Sequence, residues 1–256
     1  MILIIEKRLI PHLHTSNVIF KNYKLEKLKE FCMKHALRNA FALWDLEYER
    51  NRTDFYVDWE NGIKGYMLVY HGGSVPSVIV QGSEDSFLPL ISTVSFKKAI
   101  LHFPYSFCHL WNGHGEIYKI DVMSAEPQYY GEDDNVRVIR NPKSLLPFFS
   151  DPEYLVNQAI TFGLFNGKEV LSVASALVHL PEVWVLGAVV TRENMRNRGY
   201  ATRVLRHFMS IAYGKTKNVV LWVRSDNEPA IHIYKKFGFE KIDEECWVNI
   251  GISIIP

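Results

Sequence analysis

Residues 189–202 (Val-Val-Thr-Arg-Glu-Asn-Met-Arg-Asn-Arg-Gly-Tyr-Ala-Thr) constrain the fold more than any other stretch of the chain. An apolar run over 183–190, bounded by Pro181 and a polar turn, predicts a buried strand. The strand runs into a basic, glycine-containing turn. That turn opens directly into a helix, where Ala201, Val204, Leu205, Phe208, Met209 and Ala212 repeat as one buried stripe. Gly214 stands where a left-handed residue ends such a helix, and 218–223 (Asn-Val-Val-Leu-Trp-Val) predicts a second buried strand. Strand, turn, helix and strand in this order make a βαβ unit, which requires a parallel pair with a right-handed crossover.

The turn has the chemistry of an anion site. A helix start leaves backbone N–H groups without partners and carries about half a positive charge. Gly199 allows close approach of the backbone, Ala201 leaves space two residues later, and Arg196 and Arg198 add charge, with Arg203 and Arg206 further along the helix. A diphosphate-bearing cofactor is the natural ligand. Past the second strand, Ser225-Asp226-Asn227-Glu228-Pro229 supplies N-cap residues and a first-turn proline. The short helix that follows carries Ala230, Ile231, Ile233, Tyr234 and Phe237, and ends at Gly238.

Two of these patterns, Arg196-x-x-Gly199-x-Ala201 and Asn227-x-x-Ala230-x-x-x-Tyr234-x-x-x-Gly238-Phe239, together resemble the GCN5-related N-acetyltransferases (GNAT). The resemblance spans roughly 135–256. Ser172-Val173-Ala174-Ser175 and Val189-x-Thr191 look most like the FR47-like branch, which includes glycine N-acyltransferases. Glu193 departs from the pattern, standing where the family commonly has proline. The resemblance implies an α/β GNAT fold with a mixed, splayed central sheet, binding acetyl-CoA. The backbone of Val189 and Val190, with Thr191 beyond them, would meet the acyl-pantetheine end. The N–H groups of Arg196, Asn197, Arg198, Gly199, Tyr200, Ala201 and Thr202 would cradle the pyrophosphate. Asn227 would reach the pantetheine arm, Ala230 would leave room for it, and Tyr234 would protonate the departing thiolate as general acid. By themselves, Asn227 reads equally as an N-cap and Tyr234 as a core residue with a wet tip. For the general base, Glu182 is the nearest carboxylate in sequence and His179 stands three residues before it. Both also read as turn residues, and a water chain is the alternative.

A chain of 256 residues, 48% hydrophobic and 22% charged, can bury one large or two modest cores. A formal net charge of +1 gives no general affinity for nucleic acid. Cys32, Cys108 and Cys246 are scattered and odd in number, which argues against a disulfide framework and for a cytoplasmic enzyme. Cys108, His109, His102 and His114 match no common zinc spacing, so no metal is expected. The start, Met1 to Lys7, is too short and too soon charged for a signal peptide, and no apolar run is long enough to cross a membrane.

The N-terminal half has helical periodicity over 25–37, a hairpin over 54–70 turning at Asn61-Gly62, a strand at 77–81, a short apolar segment at 87–94, and strand-like residues 116–123. This order loosely echoes the same fold, but without an Arg-x-x-Gly-x-Gly/Ala turn. It predicts a degenerate GNAT-like domain over 1–130 that walls the acceptor side, for which Trp44, Tyr48, Phe55, Tyr56, Trp59 and Trp111 are candidate rings, though a plain core would use them too. The acidic, turn-rich segment 129–135 marks the boundary with an acyltransferase domain over 131–256, where Asn166-Gly167 signals a second hairpin. The expectation is an N-acetyltransferase acting in a ternary complex on a small amine, a protein N-terminus or a lysine, as a monomer or homodimer. A non-catalytic acyl-CoA-binding protein is the alternative.

Overall fold

The computed structural model describes residues 18–251; the reading of Met1 to Lys7 lies outside them. In chain order the elements are β1 (Val18–Lys21), α1 (Leu25–Met33), α2 (Ala40–Tyr48), β2 (Thr53–Trp59), β3 (Ile63–Tyr70), β4 (Ser77–Gly82), α3 (Glu84–Ile91), β5 (Ala99–Pro104) and β6 (Glu116–Ala125). They continue with β7 (Val136–Val138), α4 (Glu153–Asn157), β8 (Ile160–Asn166), β9 (Glu169–His179), β10 (Trp184–Thr191), α5 (Tyr200–Ala212), β11 (Val219–Arg224), α6 (Glu228–Lys235) and β12 (Glu240–Ile250). Two compact units result. The first holds 18–35, Phe41–Ile120 and 244–251; the second holds Ala36–Ala40 and Asp121–Asp243. The chain passes between them within β6 and returns within β12. Among the described residues, no helix is long and apolar enough to cross a membrane.

In the second unit β7, β8, β9 and β10 form an antiparallel meander and β11 adds parallel to β10, so the sheet is mixed. The Asn166-Gly167 signal does mark a hairpin. Its loop is Gly167-Lys168, because Asn166 still pairs with Glu169 and the left-handed φ of 60° falls on Gly167. The stripe of α5 lies on this sheet, with Val204, Leu205, Phe208, Met209 and Ala212 packed among Phe162, Ala174, Trp184, Leu186 and Leu221. Gly214 takes φ 74° as the helix ends.

The first unit repeats the order of elements on its own: a strand, two helices, the hairpin β2–β3, then β4, α3 and β5. Here too the strands flanking the crossover helix are parallel, with Ser77, Val78 and Ile79 opposite Ile100, Leu101 and His102. The apolar segment at 87–94 is the body of α3, while α2 and β5 were not anticipated from sequence. The turn before α3 is closed to anions. Gly82 lies so tightly on β3 that an added Cβ would come within 2.2 Å of the Gly65 Cα, and α3 opens with Glu84 and Asp85.

The cysteines correct the reading from their number. Cys108 and Cys246 form a disulfide inside the first unit. They are 138 residues apart in sequence, but β12 runs antiparallel to β5 with Cys246 opposite Phe103, and Cys108 sits in the single 3-10 helix that follows β5. Pairing of distant strands is invisible to a count of cysteines. Cys32 lies on the buried face of α1, and burial pushes its thiol up to about 12.

Candidate functional site

The parallel ladder of β10 and β11 has two rungs, Trp184 opposite Val219 and Val185 opposite Val220. Both strands then run on, to Thr191 and Arg224, as they part. Burial records the opening: Trp184, Val185 and Leu186 are buried, whereas every residue from Gly187 to Thr191 is partly exposed. On its other edge β10 carries a bulge. Gly187 faces Ser175 and Val190 faces Val173, so Ala188 and Val189 stand against one residue of β9, and Ala188 takes φ 49°. A bulge leaves a residue out of the ladder and turns its backbone polar groups elsewhere. The end of β10 is fixed by Ser172, whose Oγ lies 2.8 Å from Thr191 Oγ1 and donates to the Val190 carbonyl at 3.2 Å.

The turn that follows starts as a 3-10 turn over Glu193–Met195, in which the Met195 N–H donates to the Arg192 carbonyl and the Arg196 N–H to that of Glu193. Glu193 therefore replaces proline without opening the turn. Asn197 and Gly199 are both left-handed, at φ 63° and 75°. Gly199 is the N-cap residue of α5 and no side chain caps the helix. Arg203 N–H is bonded back to the Gly199 carbonyl, so the N–H groups of Tyr200, Ala201 and Thr202 precede the first intrahelical bond. An added Cβ at Gly199 would meet nothing within 4 Å. The glycine is thus required by its backbone angle, and the space beside its Cα is open. Arg196, Asn197 and Arg198 are exposed around it.

Arg203 is not available to an anion. Its Nε and Nη2 hold Asp133 Oδ2 and Oδ1 at 2.7 and 2.9 Å, and this guanidinium keeps the Asp133 carboxyl below the usual carboxylate range. The acidic segment is also docked by Ser210, which accepts from the Tyr130 N–H, and by His207 Nδ1, which accepts from the Asp133 N–H. An open groove of about 700 Å³ lies between this segment and Thr202, Arg203 and Arg206.

Asn227 caps α6, its Oδ1 accepting from the Ala230 N–H at 3.3 Å while the residue stays exposed. Tyr234 is 9% exposed, in a core with Phe237 and Phe239, and burial pushes its phenol up to about 12. Because β10 and β11 are parallel, the turn after β10 and the cap after β11 leave the same end of the sheet, so Val189–Thr191, the Arg196–Thr202 turn and Asn227 all lie toward that end. Glu182 is not brought there. It lies in the two-residue hairpin turn closed by Leu180 and Val183, at the other end of β10. At about 3.3 Å per residue it is some 13 Å of strand from Leu186 and some 30 Å from Thr191. His179, opposite Trp184, is at that far end as well. The bulge at Ala188 was missed from sequence, since alanine carries no signal for a left-handed angle.

Residues 161–248 match the family model described as FR47-like protein. No curated protein matches the chain. Among solved structures, a Drosophila protein superposes with a TM-score of 0.72 at 15% identity, covering 92% of this chain and 99% of that one. A GCN5-related N-acetyltransferase-like protein from Streptococcus suis gives 0.59 at 13% identity, covering 88% and 99%. A tandem GNAT protein from the clavulanic acid biosynthesis pathway gives 0.55 at 13% identity, covering 91% and 97%; its two-domain form fits the repeated element order seen here. The fold is that of the GNAT proteins, preceded by a GNAT-like unit without the basic turn, and the FR47-like match falls on residues 161–248 of the second unit.

Proposed function

We propose that the chain is an N-acetyltransferase that takes acetyl-CoA and a primary amine into a ternary complex and transfers the acetyl group by direct attack. The observation that carries this reading is the parting of β10 from β11 beside an uncapped helix start with a left-handed glycine. The residues fit the cofactor: open space before Gly199 and three N–H groups at a helix N-terminus suit a diphosphate, with Arg196 and Arg198 alongside. Val189, Val190 and Thr191 would line the acyl-pantetheine end, and Asn227 and Ala230 its arm. Acetyl-CoA supplies an activated thioester. Backbone N–H groups freed by the bulge at Ala188 would polarise its carbonyl, a contribution that grows as charge develops on oxygen. Tyr234 holds a proton at its hydroxyl and donates it to sulfur. Given where Glu182 lies, the proton of the amine would leave through water. The acceptor class is a small amine, a protein N-terminus or a lysine.

Titration of acetyl-CoA and CoA into the wild type and an Arg196→Ala, Gly199→Trp double variant tests this reading. Binding by the wild type alone supports it, and no binding by either removes it. Free-thiol release with a panel of amines then separates transfer from mere acyl-CoA binding.

A further inference from the structure

The strands β4, β5 and β12 of the first unit have two faces of opposite character. One presents Val78, Val80, Leu101, Phe103, Cys246 and Val248, which form an apolar core with α3. By the registers, the other presents Ser77, Ile79 and Gln81, then Ile100 and His102, then Glu245, Trp247 and Asn249. Side chains of this second face are already linked: Ser77 Oγ lies 3.2 Å from His102 Nε2, and Gln81 Nε2 donates to Glu245 Oε1 at 3.2 Å. The Trp247 ring meets that of His102 edge-on, with centroids 4.8 Å apart. Two donors are left over. Trp247 Nε1 and Asn249 Nδ2 are buried and have no hydrogen-bond partner among the described residues, and Asn249 is only 4% exposed. Buried donors are nearly always satisfied, so two on one face, two residues apart, point to an acceptor from outside this set of residues.

We propose that this face is a binding subsite for an uncharged amide carbonyl of a small ligand, held by the indole N–H of Trp247 and the side-chain amide of Asn249 beside the Ser77–His102 pair. The residues named on this face offer an anion no positive charge. Glu245, 5% exposed, lies two residues from Trp247 on the same face. His102 brings no positive charge, since burial pushes its imidazole down to about 3. Donors with no cation beside them favour a neutral acceptor oxygen over a carboxylate. The partly exposed Ile79, His102 and Trp247 supply apolar and aromatic surface for the body of the ligand. The proposal concerns the first unit alone and does not depend on cofactor binding in the second.

The test is an NMR titration of the whole ¹⁵N-labelled chain, following indole N–H resonances with Trp247 assigned from Trp247→Phe. The probes are N-acetylglycine methylamide, which is uncharged, and acetate. The expected result is a saturable downfield shift of the Trp247 resonance with the diamide and none with acetate. Affinity for the diamide should fall about fivefold or more in Asn249→Leu. Should that variant not fold, Ser77→Ala should show a smaller loss, with the other indole resonances unmoved. No shift with the diamide, a larger shift with acetate, or a Trp247 proton already at a hydrogen-bonded position in the free protein would overturn the proposal. Because the readout is a resonance in the first unit, failure here leaves the acetyl-CoA reading standing, and failure of that reading leaves this one.

Discussion

Val185 stands opposite Val220 on the last rung that β10 and β11 share, and three residues later Ala188 turns left-handed at φ 49°. The parting of the strands and the bulge are therefore neighbours in sequence. For a non-glycine residue the left-handed angle costs about 1–2 kcal/mol, which the surrounding sheet must offset. Ala188→Gly should remove that cost while adding some flexibility to the unfolded chain, for a net gain of about 0.5–1 kcal/mol. Ala188→Val, with a branched side chain at the same angle, should lose at least as much. Urea unfolding of both variants checks this; equal midpoints would mean that the bulge relaxes without effort.

Tyr234 is a core residue whose phenol burial keeps protonated to about pH 12. Tyr234→Phe keeps the ring among Phe237 and Phe239 and removes the proton. The expected outcome is a fall in kcat of about 10²-fold with acetyl-CoA affinity nearly unchanged. The raised value also fixes a pH dependence. The folded state retains the proton between pH 10 and 12 where the unfolded state loses it, so the stability contributed by the neutral phenol is complete below pH 10 and is lost as pH rises through 12. Up to pH 9 the activity profile should therefore show no limb that Tyr234→Phe removes. A variant that turns over like the wild type would leave Tyr234 with packing alone.

Most of the second unit was legible because its signals are local. The stripe of α5, the glycines at 199, 214 and 238, and the Asn227 cap each report on a few consecutive residues, and each element lies within about a residue of its expected place. What was not legible depends on pairing. The disulfide needs Cys246 set opposite Phe103 by β12, and the remoteness of Glu182 needs the hairpin that turns at Pro181-Glu182. The commitment of Arg203 to Asp133 brings together residues 70 positions apart. In the first unit, α2 was missed because Ala40, Ala42, Leu43 and Trp44 are all buried, which leaves its pattern without a polar face to read.

Asp45 on α2 gives a prediction at milder pH. It is 6% exposed, and burial raises its carboxyl to about 7, with the nearby Glu49 adding to the rise and a hydrogen bond from Thr53 Oγ1 at 3.2 Å opposing it. The folded state thus prefers the neutral acid. Its contribution is complete below about pH 4 and is lost as pH rises to 7, the reverse of an ordinary ion-paired carboxylate. Asp45→Asn, which still accepts from Thr53, should be about 2 kcal/mol more stable than the wild type at pH 8, with the advantage shrinking toward pH 4. Denaturant unfolding at the two pH values reads this directly. An advantage that stayed constant with pH would mean that Asp45 does not titrate on folding.

The Cys108–Cys246 bond closes a loop of 138 residues, and both ends lie in the core that α3 makes with the sheet of the first unit. Loop closure on this scale contributes on the order of 3–5 kcal/mol through the unfolded chain. Reduction, or Cys246→Ser, should therefore lower the thermal midpoint of the first unit by roughly 10 °C. Cys32 gives the internal control: buried, and with its thiol pushed up to about 12, it should resist alkylation in the folded protein whether or not the disulfide is reduced. Thiol counting with iodoacetamide in denaturant, before and after reduction, should give one reactive cysteine and then three. A chain that gave three without reductant would have no bond to lose, and its melting would be indifferent to reducing agents. Since the disulfide lies in the first unit and the basic turn in the second, reduction should shift melting without abolishing acetyl-CoA binding, provided titration is done below the new midpoint.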